Sequence, residues 1–264
     1  MMLVQAINTF IMPTKGIVLL SIVPVRAEKA DTAEIVNQLL FGEFVDVLEK
    51  EESSSWIKIK SLFDNYEGYV DRKQIEEIKS STFLELCQDR TFSLGRLSLI
   101  NKGQTQVPIT IGCYLPKMVD NQFEVNDKVF RFIGDRGIAK REHLVEFSLT
   151  FLGSPYLWGG KTPFGVDCSG FVQIVFRMCG IKLPRDASQQ ADLGDKVELN
   201  DYNEGDLAFF QNKNGKITHV GMLLNDMKII HAHGEVRVDK IDNNGIFNSD
   251  ILDYSHDLAF IKRI

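Results

Sequence analysis

The stretch Asp167-Cys168-Ser169-Gly170-Phe171 decides the fold of this chain. A glycine-containing loop at 162–166 precedes it, and an apolar run follows it and ends at Gly180. This pattern predicts that Cys168 lies in the first turn of a helix whose far face is buried. Unpaired N–H groups and the positive end of the helix dipole at that position favour a thiolate, the nucleophilic form of cysteine. The alternative for an isolated cysteine is a small buried side chain without chemistry.

Two histidines downstream supply the groups that a cysteine nucleophile needs. A thiol requires a base within hydrogen-bond reach and a third group that orients the base. Histidine is the usual base because its ordinary pKa lies near neutrality. His219 lies on an apolar strand at 217–224, and His231 ends the next strand, with Asn225-Asp226 as the turn between them. We therefore predict that Cys168, His219 and His231 form a catalytic site.

Each histidine also has a structural explanation without chemistry. His219 could be a hydrogen-bonded core residue, and His231 with His233 could be a chance pair or half of a metal site. A metal site would need further carboxylate or thiolate ligands at ordered spacing, and the sequence does not show them. We expect no metal and no organic cofactor. His143 and His256 lie in polar surroundings and are expected at the surface.

Composition narrows the class of protein. The length of 264 residues suits two or three domains, and 44% apolar with 25% charged residues is typical of a soluble globular chain. The net charge of −6 argues against nucleic acid or an anionic membrane as a partner. The four cysteines show no regular spacing and no C-x-x-C pair, so neither a zinc knuckle nor a disulfide framework is indicated. Scattered thiols of this kind fit a reducing compartment.

The N-terminal region allows two interpretations. Lys15 and the apolar residues 16–23 resemble a short secretory segment, with Val25-Arg26-Ala27 as a poor cleavage site. However, no positive charge precedes Lys15, and the apolar run is far too short to span a membrane. We therefore predict an extension at 1–15 followed by a buried first strand at 17–23.

Residues 16–80 predict a small SH3-like β-barrel. Alternating polar and apolar residues at 44–49 and 56–60 are typical of half-buried strands, and the glycine turn at 66–70 leads into a last strand. Residues 33–40 are interpreted as a short helical or turn-like piece.

The rest of the chain divides at about residue 138. Residues 81–137 predict a second SH3-like β-barrel, with strands at 83–87, 107–114, 123–125 and 128–133. Residues 138–264 begin with a helical pattern at 139–152 and the Cys168 helix, and end in a series of strands. Helices followed by antiparallel strands predict an α+β domain.

Together, Asp167–Phe171, His219-Val220-Gly221 and the polar residue twelve positions after His219 resemble the NlpC-type papain-like cysteine peptidases of bacteria. Those enzymes act on cell-wall peptides. The strand at 205–210 resembles the family's strand before the histidine hairpin, and the resemblance covers about 138–264. It implies a papain-like domain with Cys168 as nucleophile, His219 as base and His231 as orienting group.

A narrower resemblance covers the whole chain. Two SH3-like domains, with Tyr156–Gly160 and Pro184–Ala187 in the domain that follows, resemble the γ-D-glutamyl-L-diamino-acid endopeptidases of the dipeptidyl-peptidase VI type. Those enzymes cut after D-Glu in L-Ala-γ-D-Glu-diamino-acid peptides with a free L-Ala amine, and their first SH3-like domain caps the cleft. The resemblance implies a monomeric, cytoplasmic thiol protease of murein peptide recycling, and it leaves the diamino acid open.

The same resemblance implies a set of substrate-binding residues. An ammonium in a narrow pocket needs carboxylate partners, and those carboxylates would reject a peptide whose amine is acylated. These residues also have possible structural roles. Glu43 would be a solvated turn residue, Asp167 a helix N-cap, and Tyr156 and Trp158 core aromatics. Family members often have serine where this chain has Ala187. The implied residues are Asp167 and Asp186 for the ammonium, Ser169, Tyr156, Trp158 and Ala187 along the pocket, and Glu43 and Tyr66 from the cap.

Three other functions stay compatible with the sequence. One is a periplasmic or secreted hydrolase of intact peptidoglycan. Another is a non-catalytic wall-binding protein that uses its SH3-like domains, against which the Cys–His–His set argues. The last is an acyltransferase or amidase acting on lipids, because a fold alone does not determine a substrate.

Overall fold

The computed structural model describes residues 13–88 and 91–264. It is an α+β structure dominated by antiparallel strands, as predicted. Among these described residues, none of the helices is long and apolar enough to cross a bilayer. Most of the predicted extension at 1–15 lies outside the described residues, but Thr14 and Lys15 belong to the first strand and pair with Val47 and Asp46.

The first part of the chain is a seven-stranded antiparallel sheet in the order β3-β2-β6-β5-β4-β1-β7. The alternating residues at 56–60 form a half-buried strand, as predicted. Ile57 and Ile59 are buried, while Lys58 and Lys60 are half-exposed. A 3-10 helix at Arg72–Gln74 precedes the last strand. The strands are β1 (Thr14–Ile17), β2 (Ile22–Arg26), β3 (Ile35–Leu40), β4 (Phe44–Lys50), β5 (Trp56–Ser61), β6 (Glu67–Asp71) and β7 (Glu76–Ile78).

Three local predictions for this sheet are wrong. The single strand at 17–23 is two strands, because the chain turns between β1 and β2. Residues 33–40 contain strand β3, whose Leu39 and Leu40 are buried against β2, so pairing within the sheet overrides local preference. The glycine predicted to form a turn at 66–70, Gly68, instead lies inside strand β6. A Cβ at this position would meet a Val25 methyl at 2.5 Å.

Two smaller sheets follow, in the orders β10-β9-β13-β12 and β11-β8-β14. The predicted strand at 83–87 is instead part of helix α1, whose Leu86 is buried and packs into the core. The predicted strand at 107–114 is interrupted at Gly112, which has φ +79°. The elements are α1 (Ser80–Leu86), β8 (Thr91–Ser93), β9 (Leu97–Lys102), β10 (Thr105–Thr110), β11 (Tyr114–Leu115), β12 (Gln122–Val125), β13 (Lys128–Ile133) and β14 (Arg136–Gly137).

The last part packs a buried helix, α3, against a seven-stranded sheet ordered β17-β23-β18-β19-β20-β21-β22. Strand β22 also pairs with β23, so six of the strands close into a barrel. The helical prediction at 139–152 is too long, since a 3-10 turn at Arg141–His143 precedes a short α2. The elements are α2 (Leu144–Leu149), β15 (Lys161–Thr162), β16 (Gly165–Val166), α3 (Cys168–Met178), α4 (Ala187–Gln190), β17 (Asp195–Val197), a 3-10 helix (Leu199–Asp201), β18 (Leu207–Gln211), β19 (Ile217–Leu224), β20 (Lys228–His233), β21 (Glu235–Ile241), β22 (Gly245–Asn248) and β23 (Asp253–Arg263).

One core joins all three parts. Phe41, in the turn after β3, and Phe44 of β4 belong to the same buried apolar cluster as Ile111 of the second part and Phe171 of α3. Phe41 packs edge-on against Phe123 and Phe130. The first sheet is therefore fixed against the helix that carries Cys168.

Replacement of Gly42 tests this junction. Gly42 has φ +80°, and a Cβ there would lie 1.9 Å from the carbonyl oxygen of Tyr114. We expect Gly42→Ala to lower the free energy of unfolding by roughly 3 kcal/mol or more, measured by urea denaturation. Gly103→Ala is the matched control, because Gly103 also has a positive φ, +57°, but open space around it. Its expected cost is about 1 kcal/mol, and equal losses in the two variants would contradict the close contact.

Candidate active site

Helix α3 begins at Cys168, as predicted. Asp167 is its N-cap, and the Asp167 Oδ1 accepts the Gly170 N–H at 2.7 Å. At the other end, Gly180 takes a left-handed φ of +73° just beyond the helix. All eleven residues of α3 are buried, and the Cys168 sulfur lies beside the N–H of Val220 in β19. The nucleophile is thus held where the helix start meets the histidine strand.

The protonation state of Cys168 differs from the prediction. Burial, and then the neighbouring Asp167 carboxylate, raise the pKa of the Cys168 thiol to about 12. Burial also lowers the pKa of His219 well below its ordinary value, and His256, His231 and His233 add to that shift. Both shifts run against the thiolate that the helix start predicts. They favour a thiol and a neutral imidazole at neutral pH, because desolvation outweighs the helix terminus.

Three neighbouring strands form a hydrogen-bonded relay. The Nε2 of His219 lies 2.9 Å from the Nδ1 of His231, and the Nε2 of His231 lies 3.0 Å from Asp239 Oδ2. A carboxylate only accepts hydrogen bonds, so the His231 Nε2 carries the proton and its Nδ1 accepts from His219 Nε2–H. The lone pair of His219 is then on Nδ1, which leaves that nitrogen free to accept a proton.

Asp239 is a member of this relay that sequence reasoning missed. Arg237 holds it with two hydrogen bonds, of 2.7 and 2.9 Å. Burial alone would raise the pKa of Asp239, but the hydrogen bonds from His231 and Arg237 lower it. A signal did exist, because β21 follows β20 through a tight hairpin in which His231 pairs with Arg237.

The predicted surface position of His256 is wrong. Its ring stacks on the His219 ring with centroids 4.1 Å apart, and the side chain is half-buried. The cause is β23, which pairs with both β18 and β22 and carries His256 to the catalytic strands. Burial, with His231 and His233 nearby, lowers the pKa of His256 to about 4.

Four of the predicted substrate residues lie near Cys168, the cap or α4. Burial, and next the Cys168 sulfur, raise the pKa of the Tyr156 phenol to about 12. Burial and the nearby Asp186 carboxylate raise the pKa of Tyr66, which places this cap residue opposite α4. Trp158 is 60% exposed, so it is not a core aromatic. Ala187 is buried at the start of α4, directly after Asp186.

Asp167, a predicted ligand of the ammonium, is already paired with other residues. Asp167 accepts hydrogen bonds from the Gly159 amide and from both terminal nitrogens of the buried Arg185. Arg185 also donates to the Ser169 hydroxyl at 2.9 Å. The N-cap role of Asp167 therefore holds, but its charge is matched by Arg185 and is not available for an ammonium.

Glu43 is also placed differently from the prediction. It is 3% exposed, and its Oε1 lies 2.6 Å from Arg177 Nη1 and 3.4 Å from Lys161 Nζ. It is neither a solvated turn residue nor a free carboxylate in the cleft. Its ion pairs connect the cap to the catalytic domain.

Glu34 is a cap carboxylate that the sequence did not single out. The indole N–H of Trp158 donates to its Oε1 at 2.6 Å, across the two domains. Glu34 also lies close enough to Tyr66 to raise the pKa of the phenol. Its position next to an exposed turn gave no signal in the sequence, since the contact partner is more than a hundred residues away.

Comparisons with known proteins agree with this site. Residues 153–252 match the model of the NlpC/P60 family, and residues 25–75 match the bacterial dipeptidyl-peptidase SH3 domain. The chain is 33% identical over 220 residues to the gamma-D-glutamyl-L-lysine dipeptidyl-peptidase of Bacillus subtilis, covering 75% of this chain and 72% of that protein. This chain belongs to the NlpC/P60 family. It is a cysteine peptidase with an N-terminal SH3-like domain, as the resemblance implied.

Two further comparisons extend over most of the chain. Dipeptidyl-peptidase 6 of Lysinibacillus sphaericus is 25% identical over 268 residues, covering 86% of this chain and 92% of that protein. The crystal structure of an NlpC/P60 family protein from Bacillus cereus has a TM-score of 0.79 at 18% identity, covering 95% of this chain and 99% of that one. The second likeness confirms the fold, including the β domains ahead of the catalytic domain.

Substitution of Asp239 tests the relay. An asparagine amide can donate to His231 Nε2, which would reverse both tautomers and put a proton on the His219 Nδ1. We expect Asp239→Asn to lower kcat/KM by about two to four orders of magnitude, with little change in KM. Asp250→Asn is the matched control, because Asp250 also binds Arg237, at 2.6 Å, but is exposed. Equal effects of the two variants would assign Asp239 a structural role only.

Alkylation of Cys168 tests the neutral resting state. With a thiol pKa near 12, the rate of reaction with iodoacetamide should rise continuously from about pH 5 to about pH 9. The modified peptide is quantified by mass spectrometry, with Cys168→Ala as the blank. A rate that is already constant in the acidic range would indicate a thiolate–imidazolium pair and contradict the assignment.

Proposed function

We propose that this protein hydrolyses the γ-D-glutamyl–diamino-acid bond of small murein peptides that carry a free N-terminal L-Ala. The observation that carries the proposal is that two carboxylates, Asp186 at the N-cap of α4 and Glu34 from the cap, both lie close enough to Tyr66 to raise the pKa of its phenol. Within residues 13–88 and 91–264, neither carboxylate forms an ion pair with a lysine or arginine. The name of the Bacillus subtilis relative supports the same bond.

The free amine of the substrate would account for the Asp186 carboxylate. Burial raises the pKa of Asp186; Arg185 acts against this shift, and the nearby Asp167 and Asp64 carboxylates add to it. A substrate ammonium placed there would offset that repulsion and restore the carboxylate form. A peptide with an acylated amine would leave the half-buried Asp186 carboxylate without a substrate cation, which is unfavourable. Tyr66 and Trp158 would form the walls that limit the pocket to one small residue.

The reaction follows from the relay geometry. The Cys168 sulfur attacks the γ-carbonyl carbon of D-Glu while its proton moves to His219 Nδ1, and the N–H of Cys168 in the first helical turn stabilises the oxyanion. The imidazolium then protonates the leaving amine of the diamino acid, and a thioester remains. A water deprotonated by His219 hydrolyses the thioester and releases the dipeptide. His231 and Asp239 keep His219 in one orientation throughout.

Selection for a free amine favours one cellular role. Stem peptides attached to glycan carry an acylated L-Ala, so a cleft of this kind would exclude intact wall. We extend the proposal to a monomeric, cytoplasmic enzyme that recycles murein peptides. The cysteines at 87, 113, 168 and 179 are free thiols, which fits a reducing compartment.

Product identification tests the proposal. The protein is incubated with L-Ala-γ-D-Glu-diaminopimelate, its L-Lys counterpart, their N-acetyl analogues and intact sacculi, and the products are measured by mass. We expect L-Ala-D-Glu from the free-amine peptides alone and no turnover by Cys168→Ala. Asp186→Asn should raise KM by about 10- to 100-fold, whereas Asp192→Asn, at an exposed position after α4, should not. Equal cleavage of acetylated peptides or sacculi would favour the wall-hydrolase alternative instead.

A further inference from the structure

Four imidazoles, not two, meet at the catalytic strands. We call His219, His231, His233 and His256 the histidine cluster. The ring of His256 lies 4.1 Å from His219, 5.8 Å from His231 and 4.9 Å from His233, centroid to centroid. The relay uses only the first two histidines, so the chemistry described above gives His233 and His256 no function.

We propose that the histidine cluster binds a divalent transition metal ion such as Zn²⁺, and that the ion reversibly inhibits the enzyme. One nitrogen each from His219, His231 and His256 lies within 4.8 Å of the others. Three imidazoles and a solvent molecule form a common tetrahedral zinc environment. Three histidines from separate strands therefore supply the ligands that the sequence spacing did not reveal.

The outer contacts of the ligands are those of a metal site. His231 directs its Nε2–H to the Asp239 carboxylate at 3.0 Å, which leaves the Nδ1 lone pair facing the cluster. Carboxylate–histidine–metal arrangements of this kind fix the ring and raise its basicity. The Nδ1 of His256 lies 2.9 Å from the Ser255 hydroxyl, so its Nε2 remains for an ion.

Small movements convert the present arrangement into a coordination shell. Zinc–nitrogen bonds of about 2.05 Å in a tetrahedron separate the ligand nitrogens by about 3.4 Å. The 2.9 Å bond between His219 and His231 must therefore open slightly, and His256 must approach the pair. His256 is half-buried and can move more than the two buried histidines. The exposed His233 beside it marks the side from which an ion can enter.

Inhibition follows from the tautomer of His219. A metal on its Nε2 replaces the hydrogen bond to His231, and the proton from Nε2 moves to Nδ1. The nitrogen that should accept the Cys168 proton is then occupied, with no net loss of protons from the pair. This inhibition rests on the proposed function, because it requires His219 to be the base. Metal binding itself does not.

Metal titration of the full chain tests the site. Metal-free protein is titrated with Zn²⁺ against a chromophoric chelator, and with Co²⁺, whose visible spectrum reports tetrahedral nitrogen coordination. We expect one equivalent to bind, and Cys168→Ala to bind it equally. His256→Phe should weaken binding by about 100-fold or more, and Asp239→Asn by about 10- to 100-fold. His143→Phe is the matched control, because it removes a half-buried imidazole outside the cluster and should bind as the parent does.

The outcomes separate the two proposals. Zn²⁺ binding that is lost in Cys168→Ala but retained in His256→Phe would assign the ion to the thiol and overturn the site. Absence of binding in the parent protein would overturn it as well. Circular dichroism and thermal unfolding of His256→Phe establish that it is folded, and Asp239→Asn gives an independent test. Peptide hydrolysis that Zn²⁺ inhibits and EDTA restores is expected. Binding as described by a protein that cleaves no murein peptide would overturn the proposed function and leave the metal site standing.

Discussion

The buried ion pair between Asp167 and Arg185 is the interaction on which the active site depends. Asp167 caps the nucleophile helix and holds the Gly159 amide, while Arg185 reaches the Asn37 side chain in the cap at 2.9 Å. Removing one partner of such a pair leaves an uncompensated buried charge, at a cost of about 3–5 kcal/mol. The helix start, the preceding loop and the cap must therefore assemble together, which places Cys168 against a cleft of fixed shape.

A second set of buried charges ties the cap to the catalytic domain. Glu43 pairs with Arg177 at the end of α3 and with Lys161, and the Lys161 amide donates to Gln38 of the cap at 2.9 Å. Burial lowers the pKa of Lys161, although Glu43 and Asp64 act against the shift. Charges in such positions stabilise one relative arrangement of two domains more sharply than apolar contacts do, since a small displacement separates them. The cap is thus a fixed wall of the cleft.

The pKa shifts favour a neutral resting site, so catalysis depends on the tautomer of His219. Desolvation keeps Cys168 as a thiol and His219 as an imidazole, so the nucleophile forms only as the sulfur attacks. A neutral base must already have its lone pair on the correct nitrogen, which is the task of His231 and Asp239. The same lone pairs that serve the relay are ligands for a metal ion, and His256 completes the set.

The sequence by itself determined the elements that depend on neighbours in the chain. The capped helix at Cys168, the hairpin around Asp226 and the pairing of His219 with His231 follow from short-range patterns, and family motifs led to the cysteine peptidase. Only the tertiary structure decided which carboxylates are free, since Asp167 and Glu43 meet cations from distant segments. It also brought Glu34 to Trp158, and Asp239 and His256 to the catalytic histidines, and it made 83–86 helical. Such contacts depend on strand pairing and desolvation, which local residue patterns do not encode.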